Sequence, residues 1–393
     1  MSRFGKILKR INQIFLSLVL IISLVVIALV LGKDKDVMKE TVTSDKRSGV
    51  ALIITGAAAR IPQEAALLEE LQRRGLLKDL VFVSGVSSGA LNSVMINGIL
   101  SHRMTWSEYK NILFSLKTED VFITSENHKL PFNTSPARDL YTRVVEKKLR
   151  YKSIGDLPYT TSLSVTYPKH LNLQSEVFRM CSRKINPESD TTLSLVDIMM
   201  ASSAFPLAFP PARIKNVTTI PDVEYIDGGA GEDIIPYHAL LEFEKYRGYG
   251  VKKVYIISRK SDSIPEVSEE LRGLGIDDKG LFDRVGFSLD ALLSKGIKKR
   301  LEDYMKDAPD LVPLTYVWIP EFKGNFLLLN FDNLKSQYTI TSQWAKTHKP
   351  VPLADYMEKY KKEDLKVLQP DSLDLFHLGD RIGSKKSKEG QKK

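Results

Sequence analysis

The chain contains 393 residues, of which 43% are hydrophobic and 27% are charged. This composition is typical of a folded globular protein and disfavours an intrinsically disordered chain. The formal net charge is +9, but the first ten and the last ten residues each contribute +4, so the residues between them carry only about +1. Because the body of the chain lacks a strong basic excess, nucleic acid is not an expected partner.

The first feature along the chain is an apolar segment of 18 residues without a charge, from Ile14 to Leu31. At about 1.5 Å per residue, a helix of this length nearly crosses the hydrocarbon core of a bilayer. A buried helix of a globular domain normally keeps a polar face, which this segment lacks. The sequence therefore predicts one transmembrane signal anchor over residues 11–32, preceded by a basic flank at 1–10 and followed by a linker at 33–47.

The basic flank also predicts the orientation of this anchor. Positively charged residues before a membrane span favour a cytosolic N-terminus, so we expect the body of the chain in a lumen or outside the cell. Two glycosylation sequons, which begin at Asn133 and Asn216, are compatible with that location. The alternative is a secretory signal that is cleaved near Gly32 and releases the body.

From residue 49 the pattern changes to alternating strands and helices. The short apolar run at 49–55 is typical of a strand that is buried on both faces. An amphipathic helix follows at Glu64–Arg74 and ends at Gly75, and a second buried strand follows at Leu80–Val83. A strand, a helix, a strand and another helix in succession predict a parallel sheet.

The second strand leads into the segment FVSGVSSGALNS, residues 82–93. When a nucleophile sits on a sharp turn between a strand and a helix, the residues two positions away on each side must be very small. Gly85 and Gly89 meet this requirement around Ser87, whereas Ser88 would have Val86 in the corresponding place. The pattern predicts Ser87 as a nucleophile beside a helix N-terminus, which favours a developing anion. The alternative is an ordinary glycine turn.

A nucleophilic serine needs a base, and the six histidines of the chain form no suggestive constellation. Asp227 is a second candidate, because it ends an apolar strand-like run and is followed by Gly228 and Gly229. A tight loop at these glycines would let the carboxylate face the serine and act directly as a base. The alternative is an Asx turn, which Asp-Gly-Gly forms without any chemistry.

Four blocks in this order resemble the patatin-like phospholipases, a family that uses a Ser-Asp dyad. The blocks are LIITGAAAR at 52–60, GVSSG at 85–89, ASSAFPLAFPP at 201–211 and DGG at 227–229. The resemblance covers roughly residues 48–260 and implies a three-layer α/β/α sandwich with a mainly parallel sheet. It also implies Ser87 as nucleophile, Asp227 as base and hydrolysis of acyl esters.

On this basis we predict a catalytic domain at 48–320, a helical extension at 321–383 and a disordered basic tail at 384–393. The resemblance implies no metal and no organic cofactor, and the single cysteine, Cys181, excludes an internal disulfide and a cysteine-based zinc site. The expected partners are a membrane and a phospholipid or another acyl-ester lipid. No particular protein partner is predicted, and an acyltransferase would share the same residues.

The loop before the amphipathic helix departs from the family pattern. The family has a glycine triplet, a small residue, arginine and glycine; this chain has Gly56, Ala57, Ala58, Ala59, Arg60 and Ile61. Backbone N–H groups form an oxyanion hole, so alanine removes no donor. An alanine in a left-handed conformation nevertheless costs on the order of 1 kcal/mol or more.

We therefore expect the oxyanion hole at Gly56, Ala57, Ala58 and Ala59. Supporting roles are expected for Arg60, Gly85, Gly89, Gly228 and Gly229. The alternative to an active hydrolase is a catalytically impaired relative that binds lipid or protein.

Overall fold

The computed structural model describes most of the predicted catalytic body and part of the C-terminal extension. The described residues are 46–123, 131–168, 175–206, 208–217, 223–231, 233–260, 296–322, 326 and 328–367. The predicted membrane anchor and the basic tail lie outside these ranges. Within them, no helix combines the length and the hydrophobicity that a membrane crossing requires.

The chain divides into two compact units. The larger one comprises Ser48–Phe243 and Val251–Lys393, and the smaller one comprises Met1–Arg47 and Glu244–Gly250. In the described part of the smaller unit, Arg47 forms a parallel bridge with Gly250. The larger unit holds all the predicted site residues.

The strands are short and follow the predicted alternation with helices in the first part of the chain. They are β1 Val50–Ile54, β2 Leu80–Val86, β3 Thr160–Pro168, β4 Ser175–Cys181, β5 Ala212–Arg213, β6 Glu224–Asp227, β7 Lys253–Ile257, β8 Thr315–Trp318 and β9 Val351–Pro352. The α-helices are α1 Ile61–Arg73, α2 Ser88–Leu100, α3 Trp106–Ser115, α4 Ser135–Tyr141, α5 Leu195–Ser202, α6 His238–Arg247, α7 Leu334–Thr347 and α8 Leu353–Val367. Residues 296–307 are also helical.

One sheet contains all nine of these strands. Its order is β5-β6-β3-β2-β1-β7-β8-β9, with β4 paired to β3. The five central strands, from β3 to β8, run parallel, whereas β4, β5, β6 and β9 pair antiparallel with their neighbours. The prediction of a mainly parallel sheet is confirmed.

Helices cover both faces of this sheet because β1 is apolar on both sides. Ala51 and Ile53 pack with side chains of α6, α8 and the helical residues 296–307. Leu52 and Ile54 face the other way and pack with α1 and α7. The predicted three-layer sandwich is therefore also confirmed.

The register of the sheet brings two distant strand ends together. On one edge of β3, Ser164 pairs with Val86, the last residue of β2, and the next residue, Val165, pairs with Asp227, the last residue of β6. β4 occupies the other edge of β3 over the same residues. β2 and β6 thus meet end to end along one edge, and Ser87 turns out of the sheet where Asp227 arrives.

Candidate active site

Ser87 lies on a sharp turn between β2 and α2. Its backbone has φ 56° and ψ −129°, which is unusual for a residue other than glycine. A Cβ atom on Gly85 would lie 2.4 Å from the Gly89 carbonyl oxygen, and one on Gly89 would lie 2.2 Å from the Thr55 carbonyl oxygen. Both positions therefore require glycine for steric reasons, as the nucleophile pattern predicts.

A serine of the third sequence block holds this turn in place. The Ser87 N–H donates to Ser202 Oγ at 2.9 Å, and the Ser202 hydroxyl donates to the Ser164 carbonyl oxygen at 2.8 Å. Ser202 is fully buried at the end of α5. The sequence alone predicts no role for Ser202, because a motif does not reveal which of its hydroxyls bonds the backbone of a distant turn.

Asp227 is the acidic partner that the sequence predicts, and only 1% of its surface is exposed. Its Oδ1 accepts a hydrogen bond from the Gly229 N–H at 2.8 Å. The Asx turn is therefore present, but it uses only one carboxyl oxygen. Among the described residues, Oδ2 has no hydrogen-bond partner, and this leaves it available to receive a proton.

The environment adjusts the proton affinity of this carboxyl. Burial raises the pKa of Asp227 to about 7, and the Ser87 hydroxyl and the Gly229 N–H oppose that rise. The Ser87 hydroxyl is thus near enough to act on the carboxyl, although it does not form a full hydrogen bond with Oδ2. Hydrogen bonds between catalytic groups are often long in the absence of substrate.

Two N–H groups of the alanine-rich loop at the end of β1 donate hydrogen bonds to other segments of the chain. The Ala57 N–H donates to Ser88 Oγ at 2.7 Å, and the Ala59 N–H donates to the Leu328 carbonyl oxygen at 2.8 Å. Ala58 adopts a left-handed conformation with φ 46°. The loop N–H groups without a hydrogen bond to any described residue are those of Gly56 and Ala58.

Gly56 lies close to the Ser87 side chain. A Cβ atom there would lie 3.2 Å from the Ser87 Cβ, so the missing side chain leaves room beside the nucleophile. Arg60 is buried and points elsewhere: its Nε donates to the Phe326 carbonyl oxygen at 2.7 Å and its Nη1 to the Lys260 carbonyl oxygen at 3.1 Å. Arg60 therefore fastens the loop to two later segments of the chain.

Ser87 and Asp227 open into an apolar cavity of about 930 Å³, a volume that includes its mouth. Apolar side chains line most of it, and they come from α1, α2, α3, α4 and several loops: Ile61, Leu91, Leu113, Leu116, Val121, Ala137, Leu140, Phe205, Phe209, Ile234, Leu328, Leu329 and Phe331. The described ranges contain three histidines, and none of them lines the cavity: His102, His238 and His348.

The polar groups of the cavity are few and lie near the two candidate catalytic residues. Ser88 lines the wall beside Ser87, and Tyr141 and Ser203 bond each other with an oxygen separation of 3.3 Å. Among the described residues, no cluster of three or more acidic, histidine or cysteine side chains could hold a metal ion.

Residues 52–241 match the sequence model of the patatin-like phospholipase family. These residues form a patatin-like phospholipase domain. The resemblance indicated by the four sequence blocks is confirmed over this range, and it supports a lipid acyl hydrolase activity. No curated protein matches the chain in sequence.

Several solved structures are similar to this chain at low sequence identity. VipD from Legionella pneumophila is 13% identical, with 78% of this chain and 68% of VipD covered and a TM-score of 0.38. The type III effector ExoU of Pseudomonas aeruginosa is 11% identical, with 80% and 54% covered and a TM-score of 0.37.

Human GIVD cytosolic phospholipase A2 is 11% identical, with 61% of this chain and 48% of the human protein covered and a TM-score of 0.29. The chain spans about half the length of ExoU and of the human protein.

Proposed function

We propose that this protein is a serine acyl hydrolase that cleaves acyl-ester lipids, with Ser87 as nucleophile and Asp227 as base. The observation that carries the proposal is the meeting of these two side chains at the adjoining ends of β2 and β6, inside an apolar cavity. The strained turn exposes Ser87 to the cavity, and Asp227 Oδ2, which has no hydrogen-bond partner among the described residues, can receive its proton.

The reaction proceeds by two acyl transfers. As Ser87 Oγ forms a bond to the ester carbonyl carbon, its proton passes to Asp227 Oδ2. Backbone N–H groups at the loop and at the start of α2 stabilise the negative oxygen. When the ester C–O bond breaks, the proton passes from Asp227 to the departing alcohol, and the acyl group stays on Ser87.

Water completes the cycle by the same proton transfers. Asp227 removes a proton from water as the water oxygen attacks the acyl-enzyme, and this proton then returns to Ser87 Oγ as the fatty acid leaves. A carboxylate is ordinarily a weak base, but with a pKa of about 7 Asp227 is matched to neutral pH.

The apolar lining favours a substrate with a long acyl chain, such as a phospholipid or a lysophospholipid. We also propose that residues 11–32 anchor the chain in a membrane with its body on the lumenal or extracellular side, which holds the cavity near lipid. Protease protection of sealed microsomes tests this topology. Digestion of the body without detergent, with the N-terminus protected, would contradict it.

A catalytically impaired, lipid-binding relative is the second candidate. It is favoured by the loop, in which the Ala57 and Ala59 N–H groups are engaged elsewhere and Ala58 is left-handed. Labelling by a fluorophosphonate probe, followed by peptide mapping, separates the two candidates. An active hydrolase carries the label on Ser87, whereas an impaired relative remains unlabelled. Product analysis with added lysophospholipid distinguishes transfer to water from transfer to another acceptor.

A further inference from the structure

Ser88, the residue after the candidate nucleophile, has a hydroxyl group whose bonding differs from that of its neighbours. Its oxygen accepts the Ala57 N–H at 2.7 Å, and its side chain lines the cavity beside Ser87. The hydroxyls of Ser84 and Ser93 instead donate to the carbonyl oxygens of Pro236 and Gly89, at 2.9 and 2.8 Å.

A serine hydroxyl carries one proton and can accept and donate at the same time. The Ser88 oxygen accepts from Ala57, and its proton has no acceptor among the residues that the structure describes. Only 9% of the surface of Ser88 is exposed, so the partners of its hydroxyl are supplied by the protein and by whatever occupies the cavity. A buried donor without an acceptor is costly unless a ligand supplies one.

We infer that the Ser88 hydroxyl is an oxyanion donor, which receives the Ala57 N–H and directs its own proton to the negative oxygen formed at Ser87. This inference rests on the proposed function. In the usual arrangement the loop N–H groups point at the oxyanion themselves. Here the Ala57 N–H of the alanine-rich loop donates to the Ser88 oxygen, and Ser88 in turn lines the cavity.

The chain of two hydrogen bonds has a physical advantage. The Ala57 N–H withdraws electron density from the Ser88 oxygen and makes the hydroxyl a stronger donor, since hydrogen bonds in a chain polarise one another. The polarised donor acts inside an apolar cavity, where its attraction to a negative oxygen is less screened than in water.

The opposite role for Ser88 gives the opposite prediction. If its oxygen merely blocks the Ala57 N–H, removal of the hydroxyl would free that N–H and raise turnover. If the hydroxyl is the donor, removal would lower turnover. The sign of the change in Ser88→Ala therefore decides between the two roles.

The test compares wild type, Ser88→Ala, Ser88→Thr and Ser93→Ala on a soluble short-chain ester, with a thermal melt of each. We expect Ser88→Ala to lower kcat by about 10²–10³-fold with little change in KM, as for loss of one oxyanion donor. Ser88→Thr keeps the hydroxyl and should retain more turnover than Ser88→Ala. Ser93→Ala removes a hydroxyl from the same helix and should remain near wild type.

Inhibition by a trifluoromethyl ketone provides a readout that a purely structural role would not move. Its adduct with Ser87 carries an oxyanion, so its inhibition constant should rise in Ser88→Ala alongside the loss of kcat. Unchanged or increased kcat in Ser88→Ala, with wild-type inhibition, would overturn the inference while the proposed function stands. A folded wild type without activity or Ser87 labelling would overturn both.

Discussion

Asp227 and Glu64 are two buried carboxyl groups whose pKa values burial raises, to about 7 and about 8 respectively. Their surroundings differ in hydrogen bonding. Both oxygens of Glu64 accept bonds, Oε1 from the Thr55 hydroxyl at 3.0 Å and Oε2 from the Asn92 amide at 3.1 Å. Asp227 keeps Oδ2 without a partner among the described residues and lines the cavity, which Glu64 does not.

A raised pKa therefore does not by itself identify a catalytic base. Glu64 bonds Thr55 at the end of β1 and Asn92 in α2, and so links the two elements. The side-chain oxygen Oδ1 of Asn92 accepts a further hydrogen bond from the Tyr109 hydroxyl at 2.7 Å. The proton affinity of Glu64 results from burial in a bonded network. An oxygen that faces a cavity and lacks a bond is the feature that distinguishes Asp227.

The largest expected effect separates the two carboxyl groups by activity. Asp227→Asn should lower kcat by at least about 10³-fold, because the amide cannot accept the serine proton, and Ser87→Ala should do the same. The double variant should be little worse than either single variant, since neither group works alone. Kinetics on a short-chain ester and on phospholipid micelles measure these effects.

Glu64→Gln is the matched control for these variants. It also replaces a buried carboxyl by an amide, but it should keep kcat within a few-fold of wild type because Glu64 does not reach the cavity. Full activity in Asp227→Asn would eliminate the dyad. A loss in Glu64→Gln as large as that in Asp227→Asn would erase the distinction between the two sites.

The second prediction concerns the pH dependence of activity. A base must be deprotonated to act, so kcat/KM should fall about tenfold per pH unit below the Asp227 pKa of about 7 and level off above it. Glu64→Gln should show the same fall in kcat/KM below pH 7. A midpoint near pH 4, which is typical of an exposed carboxyl, would show that burial does not tune the base.

The third prediction concerns the pH dependence of stability. Glu64 binds its proton more tightly when folded, with a pKa of about 8 against an ordinary value of 4.5. Its contribution to the free energy of unfolding is therefore full below about pH 4.5 and is lost as pH rises to about 8. Relative to wild type, Glu64→Gln should gain stability across this window, by on the order of a few kcal/mol.

Denaturant unfolding at pH 5 and pH 8 measures this gain. Relative to wild type, Asp227→Asn should also gain stability as the pH rises, over a lower window that ends near pH 7. A difference between Glu64→Gln and wild type that is independent of pH would mean that Glu64 is not held protonated by burial.

The smallest expected effect concerns the free energy of unfolding and the backbone strain in the alanine-rich loop at the end of β1. Thr55 at its start bonds Glu64, and Ala58 within it lines the cavity with Asp227. Ala58 has φ 46°, so Ala58→Gly should relieve strain and raise the free energy of unfolding by up to about 1 kcal/mol. Ala57 has φ −134°, so Ala57→Gly should instead lower it by roughly 0.5–1 kcal/mol.

Thermal melts of the two glycine variants, with kinetics in parallel, give this comparison. Equal destabilisation by both substitutions would indicate that the left-handed backbone of Ala58 carries no strain. An increase in turnover in Ala58→Gly alone would mean that the strain also limits the oxyanion hole.

The sequence was sufficient for the parallel core and for both members of the proposed dyad, because each follows from local patterns. Buried strands read as apolar runs, and the glycines around Ser87 and after Asp227 mark tight turns. The amphipathic pattern predicts the start of α1 at Glu64, three residues after the observed start at Ile61, because the first turn contains a proline and is not amphipathic.

Other parts of the site depend on contacts between distant segments and have no local signal. The Ala59 N–H bonds Leu328, which lies in the segment predicted as an extension beyond the catalytic domain. The Ser88 and Ser202 bonds depend on which way hydroxyls point after the sheet has formed. Only the folded register brings these groups together.

The end-to-end meeting of β2 and β6 also determines when the proposed dyad can assemble during folding. Ser87 and Asp227 are 140 positions apart in the chain, and they come together only after β6 has docked on β3. Such non-local pairing forms late, because the entropy of closing a long loop must first be overcome. If Ser87 and Asp227 act as proposed, a ribosome-bound or partly folded chain holds the serine without its base, and we expect it not to hydrolyse lipid until the sheet is complete.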